Sequence, residues 1–428
     1  MRILLAHNSL YYPAYGGGDK SNRLLMEALA AHGHTVHVVA RVEHFGLAAH
    51  SRLMRELVHR GRSPRAQGQS SVEFELNGVE LRTLTGDPNL RAYFAGQLRA
   101  FAPEIVVAST DDPAHLMLDI ALRTAQVRVV YLVRATVALP FGPDSGLHSE
   151  FHTERLHQAD GVVAVSEYVA QYTRRWSGLD AVHVPISLLD GGHPRLGRFE
   201  NRFVSMVNPC AVKGISIFLA LAARFPQVEF AAVPTWGTTA ADCAALRKLP
   251  NVSVLPPADD IDDLLRQTRV VLTPSLWAEA RSRMILEAMS RGIPVMASDA
   301  GGLAEAMLGM DYLLPVNPVQ RYQPAVDELM VPAVEAPPQN ITPWTDVLRR
   351  LLTDRAHYDS LAAASRKAAL EYARNLTIEP FERYLADVLH APSRRAGAKR
   401  HSVRAPLSDD RRRLLALRIR RAKSHVGR

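Results

Sequence analysis

Residues 274–295 read PSLWAEARSRMILEAMSRGIPV, and this stretch decides the fold of the second half of the chain. It follows one apolar run, Val270–Thr273, and precedes another, Val295–Ala297, which predicts two buried strands. Between them, the spacing of apolar residues predicts a helix over Arg281–Arg291. Two buried strands joined by a helix make a parallel βαβ unit, and parallel sheets are covered on both faces. The stretch therefore indicates an α/β protein.

The same alternation continues outward from this unit in both directions. Apolar runs predict further strands at Ile3–His7, Val36–Ala40, Ile105–Ala108, Val129–Val133, Val162–Val165, Val182–Val184, Phe203–Val207, Val228–Val233 and Val252–Leu255. Amphipathic spacing predicts helices at Asp19–His32, Ile215–Arg224, Thr239–Leu249 and Ile261–Gln267. Asn77-Gly78, between two alternating runs, predicts a type I′ hairpin. The predicted fold class is α/β, with two tandem doubly wound Rossmann-like domains.

Composition shifts suggest where the domains meet. The Gly- and Pro-rich segment Leu189–Glu200 is a candidate linker, and the Pro-rich segment Val316–Pro343 is expected to be an irregular excursion. We therefore expect four parts: a first domain over 1–190, a second domain over 200–375, a helix over 376–392 that returns to the first domain, and a basic tail over 393–428.

The composition excludes several classes of protein. Of the 428 residues, 47% are apolar, which is too many for a largely disordered chain. The two cysteines, Cys210 and Cys243, exclude a disulfide scaffold and a thiolate zinc site, and they fit a reducing cytoplasm. The first residues are too short an apolar run for a signal peptide, and no run of 18 apolar residues exists. A cytoplasmic protein is expected.

The net charge of +8 is located almost entirely in the tail. Residues 394–428 hold 13 Lys and Arg against two acids, a charge of +11, so the rest of the chain is at −3. The globular part is therefore mildly acidic, which argues against a nucleic-acid-binding surface.

The tail predicts a helix over Leu407–Arg421, with Ser408 as its N-cap and two acids in the first turn. Leucines amid cations allow peripheral contact with an anionic membrane surface. The segment also resembles a helix found beside carrier-protein modules in nonribosomal peptide synthetases. A solvated basic appendage explains the composition equally well.

Two strand-to-helix turns are candidate phosphate-binding sites. Gly16-Gly17-Gly18 opens the first predicted helix, where free N–H groups and missing Cβ atoms allow close approach of an anion, although a plain tight turn is the alternative. Lys213 lies at the turn after Phe203–Val207, where ligands bind in open α/β sheets. A cation at a helix start is disfavoured by the helix dipole, which suggests an anionic ligand.

The opening stretch carries two carboxylates eight positions apart. Glu279 precedes the predicted helix and Glu287 lies within it, accompanied by Arg281 and Arg283. Glu287 has apolar neighbours in the sequence, so its carboxylate needs hydrogen-bond donors, which sugar or ribose hydroxyls supply. A glutamate paired with a neighbouring arginine on a solvated face is the alternative.

This pattern resembles the Glu-x7-Glu signature of the family 4 retaining glycosyltransferases, which have the two-domain GT-B fold. Several other motifs resemble that family in the same order, namely Gly16–Gly18, Ala159–Val163 followed by Ser166-Glu167-Tyr168, Lys213-Gly214 and Ala300-Gly301-Gly302-Leu303-Ala304-Glu305. The resemblance covers nearly the whole chain up to about residue 390. It implies a metal-independent transferase without a cofactor, a nucleoside-diphosphate sugar as donor, and an acceptor that the sequence does not identify.

The resemblance also implies roles for single residues. Glu287 would bind the ribose hydroxyls, and Glu279, as a catalytic residue, would hold hydroxyls of the transferred sugar. Lys213, with amides near Gly17 and Gly18, would neutralise the departing diphosphate, which needs charge stabilisation more than a strong base. The remaining donor contacts would come from the backbone around Ser282, Arg283, Met284 and Ile285.

Three positions depart from the family pattern. Asn208 stands where the family usually has an arginine, and Arg281 and Arg283 are the candidates to compensate for it. Arg134 stands where the family often has a histidine, and it is our candidate for that catalytic position. Ser282 replaces a glycine. The acids around Asp260-Ile261-Asp262 match a DxD pattern, but they are expected to stabilise a helix start and to bind no metal.

Two other functional classes fit the same residues. A GT-B epimerase would need no acceptor, and a phosphorylase would need phosphate and a pyridoxal cofactor, for which the sequence has no motif. A catalytically weak, sugar-nucleotide-binding partner of a biosynthetic complex is favoured by Asn208, Arg134 and the tail.

Overall fold

The computed structural model describes residues 1–14, 16–42, 46–59, 61–68, 70–85, 89–189, 191–258, 260–326 and 332–396. The chain forms two compact units, Met1–Pro392 and Ser393–Arg428. Within the second unit, Arg394–Ala396 make a short 3₁₀ turn. The predicted helix Leu407–Arg421, together with the expected membrane or carrier-protein contact, lies outside the described residues.

The first half of the large unit forms a nine-stranded sheet. Its strands, in chain order, are β1 (Arg2–Ala6), β2 (Thr35–Arg41), β3 (Ala66–Gln67), β4 (Ser71–Leu76), β5 (Val79–Leu84), β6 (Ile105–Ser109), β7 (Arg128–Val133), β8 (Gly161–Ala164) and β9 (Ala181–His183). They are arranged as β3-β4-β5-β2-β1-β6-β7-β8-β9, and all pairs are parallel except β3–β4 and β4–β5. Strands β6, β7 and β8 are rich in Val, Leu and Ala and have no exposed side chain, as expected for a sheet covered on both faces.

The helices of this half of the chain alternate with its strands. They are α1 (Gly17–Ala31), α2 (Gly46–His59), α3 (Leu90–Phe101), α4 (Leu116–Arg123), α5 (Glu150–Leu156) and α6 (Glu167–Ser177). The first helix begins two residues before the predicted start, because Gly16 already serves as its N-cap in an extended conformation. Asn77 and Gly78 both have positive φ, of 51° and 81°, so the predicted type I′ hairpin is confirmed.

The second half forms a fully parallel six-stranded sheet in the order β12-β11-β10-β13-β14-β15. Its strands are β10 (Phe203–Val207), β11 (Glu229–Val233), β12 (Val252–Val254), β13 (Thr268–Thr273), β14 (Val295–Ser298) and β15 (Leu313–Leu314). Its helices are α7 (Ile215–Arg224), α8 (Ala240–Arg247), α9 (Asp262–Leu265), α10 (Arg283–Ser290), α11 (Leu303–Met307), α12 (Thr342–Thr353) and α13 (Arg355–Arg374). Strand β10 and helix α7 have the predicted limits, and the α/β fold class is confirmed.

The Pro-rich excursion is the part of the prediction that is wrong. Two strands, β16 (Tyr322–Val326) and β17 (Pro332–Val334), form an antiparallel pair within it. Two short strands of this kind show no strong alternation of apolar and polar residues. The prolines of the segment also argue against strands, so the sequence did not predict the pair.

The last helix of the large unit, α14 (Glu379–His390), belongs to the core of the first sheet. Phe381, Leu385 and Val388 are buried among the first-domain residues. Glu382 also accepts hydrogen bonds from His32 and His34 at 2.9 and 2.8 Å when these rings present an N–H. Across the described part of the chain, none of the helices is both long enough and apolar enough to cross a bilayer.

Candidate active site

A cleft of about 1630 Å³ lies between the carboxyl ends of the strands of the two sheets. Its lining includes every residue that the sequence analysis selected as a site residue except Ile285, which is fully buried in the core of the second domain. The residues that line it are Gly16, Gly17, Gly18, Arg134, Asn208, Lys213, Glu279, Arg281, Ser282, Arg283, Met284 and Glu287.

Lys213 and Glu279 form an ion pair at the second-domain wall. The chain leaves β10 and makes one 3₁₀ turn, Ala211–Lys213, which ends at Gly214 with φ of +80°. A Cβ at Gly214 would lie 1.9 Å from the carbonyl oxygen of Pro274, so only glycine allows this approach. The turn brings the Lys213 ammonium into contact with the Glu279 carboxylate, which also accepts a hydrogen bond from the Ser275 hydroxyl at 2.6 Å.

The environment of Glu279 keeps it ionised. Burial acts to raise its pKa, but the charge of Lys213 and the hydrogen bonds from Lys213 and Ser275 outweigh burial and hold the pKa below its ordinary value. The site therefore presents a fixed carboxylate beside a fixed ammonium.

The backbone around Glu279 is held from both domains. Gly302 donates its N–H to the Glu279 carbonyl at 2.6 Å, and a Cβ at Gly302 would lie 2.1 Å from the next carbonyl oxygen. From the first domain, the hydroxyls of Thr136 and Ser166 donate to the carbonyls just before and just after Glu279, at 3.0 and 2.7 Å. The Glu279 side chain is thus positioned by groups of both walls.

A second contact between the domains involves Glu305 and the start of α6. Ser166 is the N-cap of this helix, and its hydroxyl accepts from Val169 N at 3.2 Å. The Glu305 carboxylate accepts the next two free amides, those of Glu167 and Tyr168, at 3.0 and 2.6 Å. A second-domain carboxylate therefore satisfies helix N–H groups of the first domain.

Glu287 is buried and paired with Arg283. One of its oxygens accepts from the Arg283 guanidinium at 2.9 Å, and the Lys20 ammonium of the first domain lies 4.0 Å from the same oxygen. Arg283 also donates to the carbonyl of Leu188, in the segment that connects the domains. The arginine partner that the sequence analysis weighed as an alternative is present, but the pair is buried in the cleft rather than on a solvated face.

The glycine turn faces the second domain. A Cβ at Gly16 would lie 2.9 Å from the ring of Trp236, and one at Gly17 would lie 3.5 Å from Arg283. Gly18 has open space around it. Close approach between the walls explains the first glycine.

Asn208 holds the loop that carries Trp236 through hydrogen bonds. Its backbone has φ of 58°, a left-handed conformation that asparagine tolerates, and its Oδ1 accepts from Gly237 N at 3.0 Å and from the Thr238 hydroxyl at 3.3 Å. Its Nδ2 is buried and has no hydrogen-bond partner among the described residues. Arg281, expected as a possible compensating cation, lies over the ring of Tyr372 at 4.6 Å, so its guanidinium contacts α13 as well as the cleft.

Two tryptophans surround the ammonium of Lys213, and the sequence analysis missed both. The Nζ atom lies 4.8 Å from the ring centre of Trp277 and 6.0 Å from that of Trp236, and the two rings are 5.9 Å apart. Aromatic faces attract a cation and restrict its position. Trp277, two residues before Glu279, was visible in the opening stretch, whereas Trp236 gave no signal in the sequence.

On the first-domain wall, Arg134 follows β7. Its Nη1 donates to the Ser21 hydroxyl at 2.8 Å and its backbone N–H to the Thr110 hydroxyl at 3.1 Å. Its Nε and Nη2 are buried without a hydrogen-bond partner among the described residues. Burial lowers the pKa of Arg134 to about 9 against the attraction of Asp111, so the side chain is a cation at neutral pH.

His7 lies behind Arg134, between two carboxylates. Its Nε2 is 3.3 Å from Asp19 and its Nδ1 is 3.4 Å from Asp111. Burial acts to lower the pKa of His7, but the two carboxylates outweigh it and raise the pKa above 6.5. The sequence analysis did not select these three residues, because they are far apart along the chain and match no motif.

The acids that match a DxD pattern have structural partners. Asp262 accepts from Arg291 at 2.7 Å, and Asp260 accepts the backbone N–H of Asp262 at 2.9 Å. In the part of the chain that the structure describes, no three His, Cys, Asp or Glu side chains are grouped as metal ligands.

Comparison with known proteins gives two family matches along this chain. Residues 16–187 match the model of the glycosyl transferase 4-like domain, and residues 202–331 match that of the glycosyl transferases group 1. The two matches fall on the two walls of the cleft. Both domains are thus similar to glycosyltransferases, and the fold is GT-B.

Relatives and solved structures agree with this assignment. The chain is 25% identical over 323 residues to the phosphatidyl-myo-inositol mannosyltransferase of Mycolicibacterium smegmatis. This alignment covers 70% of the present chain and 78% of that relative. It resembles the sucrose-phosphate synthase of Thermosynechococcus elongatus with a TM-score of 0.64 and 16% identity, covering 91% of this chain and 100% of the other. Anabaena HepE, solved in complex with UDP and glucose, gives a TM-score of 0.61 and 16% identity over 91% of this chain and 99% of its own. These structural likenesses show the fold, and the family matches support glycosyltransferase activity.

Proposed function

We propose that this protein transfers a sugar from a nucleoside-diphosphate sugar to an acceptor hydroxyl, with retention of the anomeric configuration and without a metal ion. The observation that carries the proposal is the meeting of Lys213, Glu279 and Glu287 in one cleft with the glycine turn of the opposite domain. A nucleoside-diphosphate sugar has hydroxyls at both ends and a diphosphate dianion between them. The carboxylates of this cleft suit the hydroxyls, and its cations suit the diphosphate.

Charge on the leaving group would be stabilised by side-chain cations. Lys213 is held by Glu279 and by two aromatic rings, and Lys20 and Arg283 lie at the Glu287 end of the cleft. Fixed cations that need little reorganisation stabilise developing charge more effectively than mobile ones. They also supply the charge that a divalent cation provides in other transferases, which supports a metal-independent reaction.

The two carboxylates would orient the donor through its hydroxyls. Glu279 is kept ionised and accepts hydrogen bonds, so it suits the hydroxyls of the transferred sugar. Glu287, eight residues later, would accept from the ribose hydroxyls in addition to Arg283. Backbone amides at the start of α10, from Ser282 to Ile285, would contribute further donors to the phosphates.

In the transfer step, the bond between the anomeric carbon and the diphosphate oxygen breaks, and its electron pair leaves with the diphosphate. The acceptor oxygen bonds to the same carbon from the same face, and its proton passes to the departing phosphate oxygen. Arg134, which lines the cleft and has two nitrogens without partners among the described residues, would bind a phosphate oxygen or the acceptor near the reacting centre. No strong base is required, because the leaving group receives the proton.

A thermal-shift screen of the purified chain against UDP, GDP, ADP, CMP and dTDP, with Mg²⁺ and with EDTA, tests the proposal. One nucleoside diphosphate should raise the melting temperature equally in both conditions, since a ligand that binds only the folded state stabilises it. The sugar donor of that base should then be consumed faster when acceptors are present, and NMR of the product should show the anomer of the donor. A shift that requires Mg²⁺ would contradict the metal-independent reaction, and no shift at all would contradict the donor site.

The other functional classes are distinguished by the same assay. A GT-B epimerase would convert the donor without an acceptor, and a binding partner would bind the nucleotide without consuming the donor. The family matches do not favour either.

A further inference from the structure

A second cavity, of about 130 Å³, lies on the first domain and takes no part in the proposed transfer. It is enclosed by α3, α4 and α5 and is lined by Arg91, Ala114, His115, Asp119, Arg123, Phe151, His152 and Arg155. Ala114 also lines the large cleft, on the side of the first domain. A cavity needs about 10–15 Å³ to hold a water molecule, so this one has room for a tetrahedral oxyanion.

The lining carries an excess of positive charge. Asp119 is the one acid among these lining residues, and three guanidinium groups share it. Arg123 lies 2.9 Å from its carboxylate, Arg155 lies 3.4 Å away and Arg91 lies 3.9 Å away. One carboxylate balances one of the three cations, so two positive charges remain to attract an anion. Arginine is suited to this task, because its planar donors match the oxygens of a phosphate.

His115 lies at the wall of this cavity with both ring nitrogens buried. The residue is only 2% exposed, and neither ring nitrogen has a hydrogen-bond partner within the described part of the chain. Its ring lies 4.8 Å from that of His152 and 5.8 Å from that of Tyr131. A buried polar group without a partner costs on the order of 1–3 kcal/mol, and a ligand oxygen in the cavity would remove that cost.

We propose that this cavity is a binding site for a phosphate group, held by Arg91, Arg123 and Arg155 with His115 as an additional donor. The charges at the cavity, its size and the unsatisfied imidazole all point to the same chemistry. The phosphate has two possible sources, a free phosphate ion or a phosphate ester such as part of an acceptor bound in the neighbouring cleft. The site does not require the proposed transfer to be correct.

The protonation state of His115 should respond to the ligand. Burial, with a smaller contribution from His152, lowers the pKa of His115 to about 3, so the ring is neutral when the cavity is empty. The charged groups that face it are Arg91, Arg123, Arg155, Asp119 and His152. A bound dianion cancels the excess positive charge around the ring and offers it an acceptor, which raises the pKa of His115, so binding should be accompanied by proton uptake.

Calorimetric titration of the full chain with inorganic phosphate tests the site. We expect saturable binding of one phosphate per chain, weakened at least tenfold in Arg155→Gln and unchanged in Arg99→Gln. Arg99 is an exposed arginine of the same α3 helix as Arg91 and does not line the cavity, so it is the matched control. Equal weakening in both variants, or the absence of saturable binding of both inorganic phosphate and glycerol 1-phosphate, would overturn the proposal.

Two competition experiments distinguish binding in the cavity from binding in the cleft and identify the source of the phosphate group. Saturating the chain with the nucleoside diphosphate found in the thermal-shift screen should leave phosphate binding intact, whereas full displacement would place the phosphate in the donor site and overturn the proposal. Competition by glycerol 1-phosphate would show that the cavity accepts an ester, and binding of inorganic phosphate alone would indicate a free ion. Unchanged nucleotide affinity in Arg155→Gln shows that this variant is folded.

Sulfate provides the test of His115, because sulfate does not titrate between pH 5 and 8. Its affinity should increase as the pH falls in the wild-type chain and stay nearly constant in His115→Asn. Asparagine suits the positive φ of 53° at this position, so the variant should fold. The same pH profile in both chains would remove His115 from the site.

Discussion

On the second-domain side of the cleft, each buried carboxylate has its own cation, whereas on the first-domain side charges are shared and one cation is incompletely paired. Glu279 contacts Lys213, and Glu287 pairs with Arg283. Opposite them, Asp19 and Asp111 surround His7, and Arg134 retains two nitrogens without partners among the described residues.

The difference suggests that the two walls have different roles in binding and reaction. Carboxylates that already contact a cation hold their side chains in place, although Arg283 also keeps a buried Nε without a partner among the described residues, and this suits a site that must be ready for a charged donor. A buried guanidinium with unused donors is stabilised when a ligand supplies an oxygen, which suits a wall that changes its contacts during the reaction. The predictions below test this contrast, from the largest expected effect to the smallest.

Lys213→Ala should have the largest effect, because it removes the cation nearest the proposed leaving group and leaves Glu279 without its partner. We expect donor turnover to fall by about 100- to 1000-fold, the size of effect seen when a group that stabilises transition-state charge is removed. Lys248→Ala, at an exposed lysine after α8, is the control and should be fully active. Turnover within threefold of wild type would show that the donor wall does not depend on this pair.

Arg134→Gln should reduce turnover less, by about 10- to 100-fold, because the donor wall stays intact and a single charge-assisted contact is lost. Removing this cation should also raise the pKa of His7, since Arg134 acts to lower it. NMR titration of the His7 ring measures that change directly. A normal turnover with a shifted His7 pKa would limit Arg134 to an electrostatic role behind the wall.

Glu305→Gln tests the contact between the domains. The carboxylate accepts two amides at the start of α6, and the neutral amide retains the shape while losing the charge. We expect the free energy of unfolding to fall by about 1–2 kcal/mol, as for the loss of a helix cap, with little change in donor affinity. Denaturant unfolding and calorimetry measure the two quantities, and a large loss of affinity would show that domain contact and donor binding are coupled.

The smallest effect is the pH dependence contributed by His7. Its pKa is raised in the folded chain, so its contribution to stability is fully present below about pH 6.5, the ordinary histidine value, and is lost as the pH rises through the folded pKa. The difference in unfolding free energy between wild type and His7→Asn should therefore be larger at pH 5.5 than at pH 9, by about 1 kcal/mol, the order of one hydrogen bond. An equal difference at both pH values would mean that Asp19 and Asp111 do not raise the pKa of His7 in the folded chain.

The same contrast explains how much of the site was readable from sequence. Arg283 and Glu287 lie four residues apart in α10, so their spacing alone places them on one face, and Glu279 lies in the loop that leads into this helix. Lys213 was found because it follows a predicted strand whose limits were correct. Local spacing and strand order were enough for the charged residues of the second-domain wall, but not for Trp236 and Trp277 beside them.

The first-domain wall was not readable in the same way. Four residues of this wall come from separate segments that meet only when β1, β6 and β7 pair, namely His7, Asp19, Asp111 and Arg134. Only Arg134 was selected from the sequence, through the resemblance to a known family. Trp236 reaches the cleft because Asn208 holds its loop, a contact between residues whose spacing carries no pattern. Side-chain contacts across a sheet edge depend on register and loop path, which single-sequence periodicity does not encode.

The measurement that tests the central claim most directly is the affinity of the responding nucleoside diphosphate, and of its 2′-deoxy analogue, for the wild-type chain and for Glu287→Ala in EDTA. If the cleft holds the donor as proposed, the wild-type chain binds one ribonucleotide per chain without metal and prefers it at least tenfold over the deoxy form. Glu287→Ala should bind the ribonucleotide much more weakly and lose most of that preference. An unchanged affinity and preference in Glu287→Ala, or binding that requires a metal ion, would contradict the account.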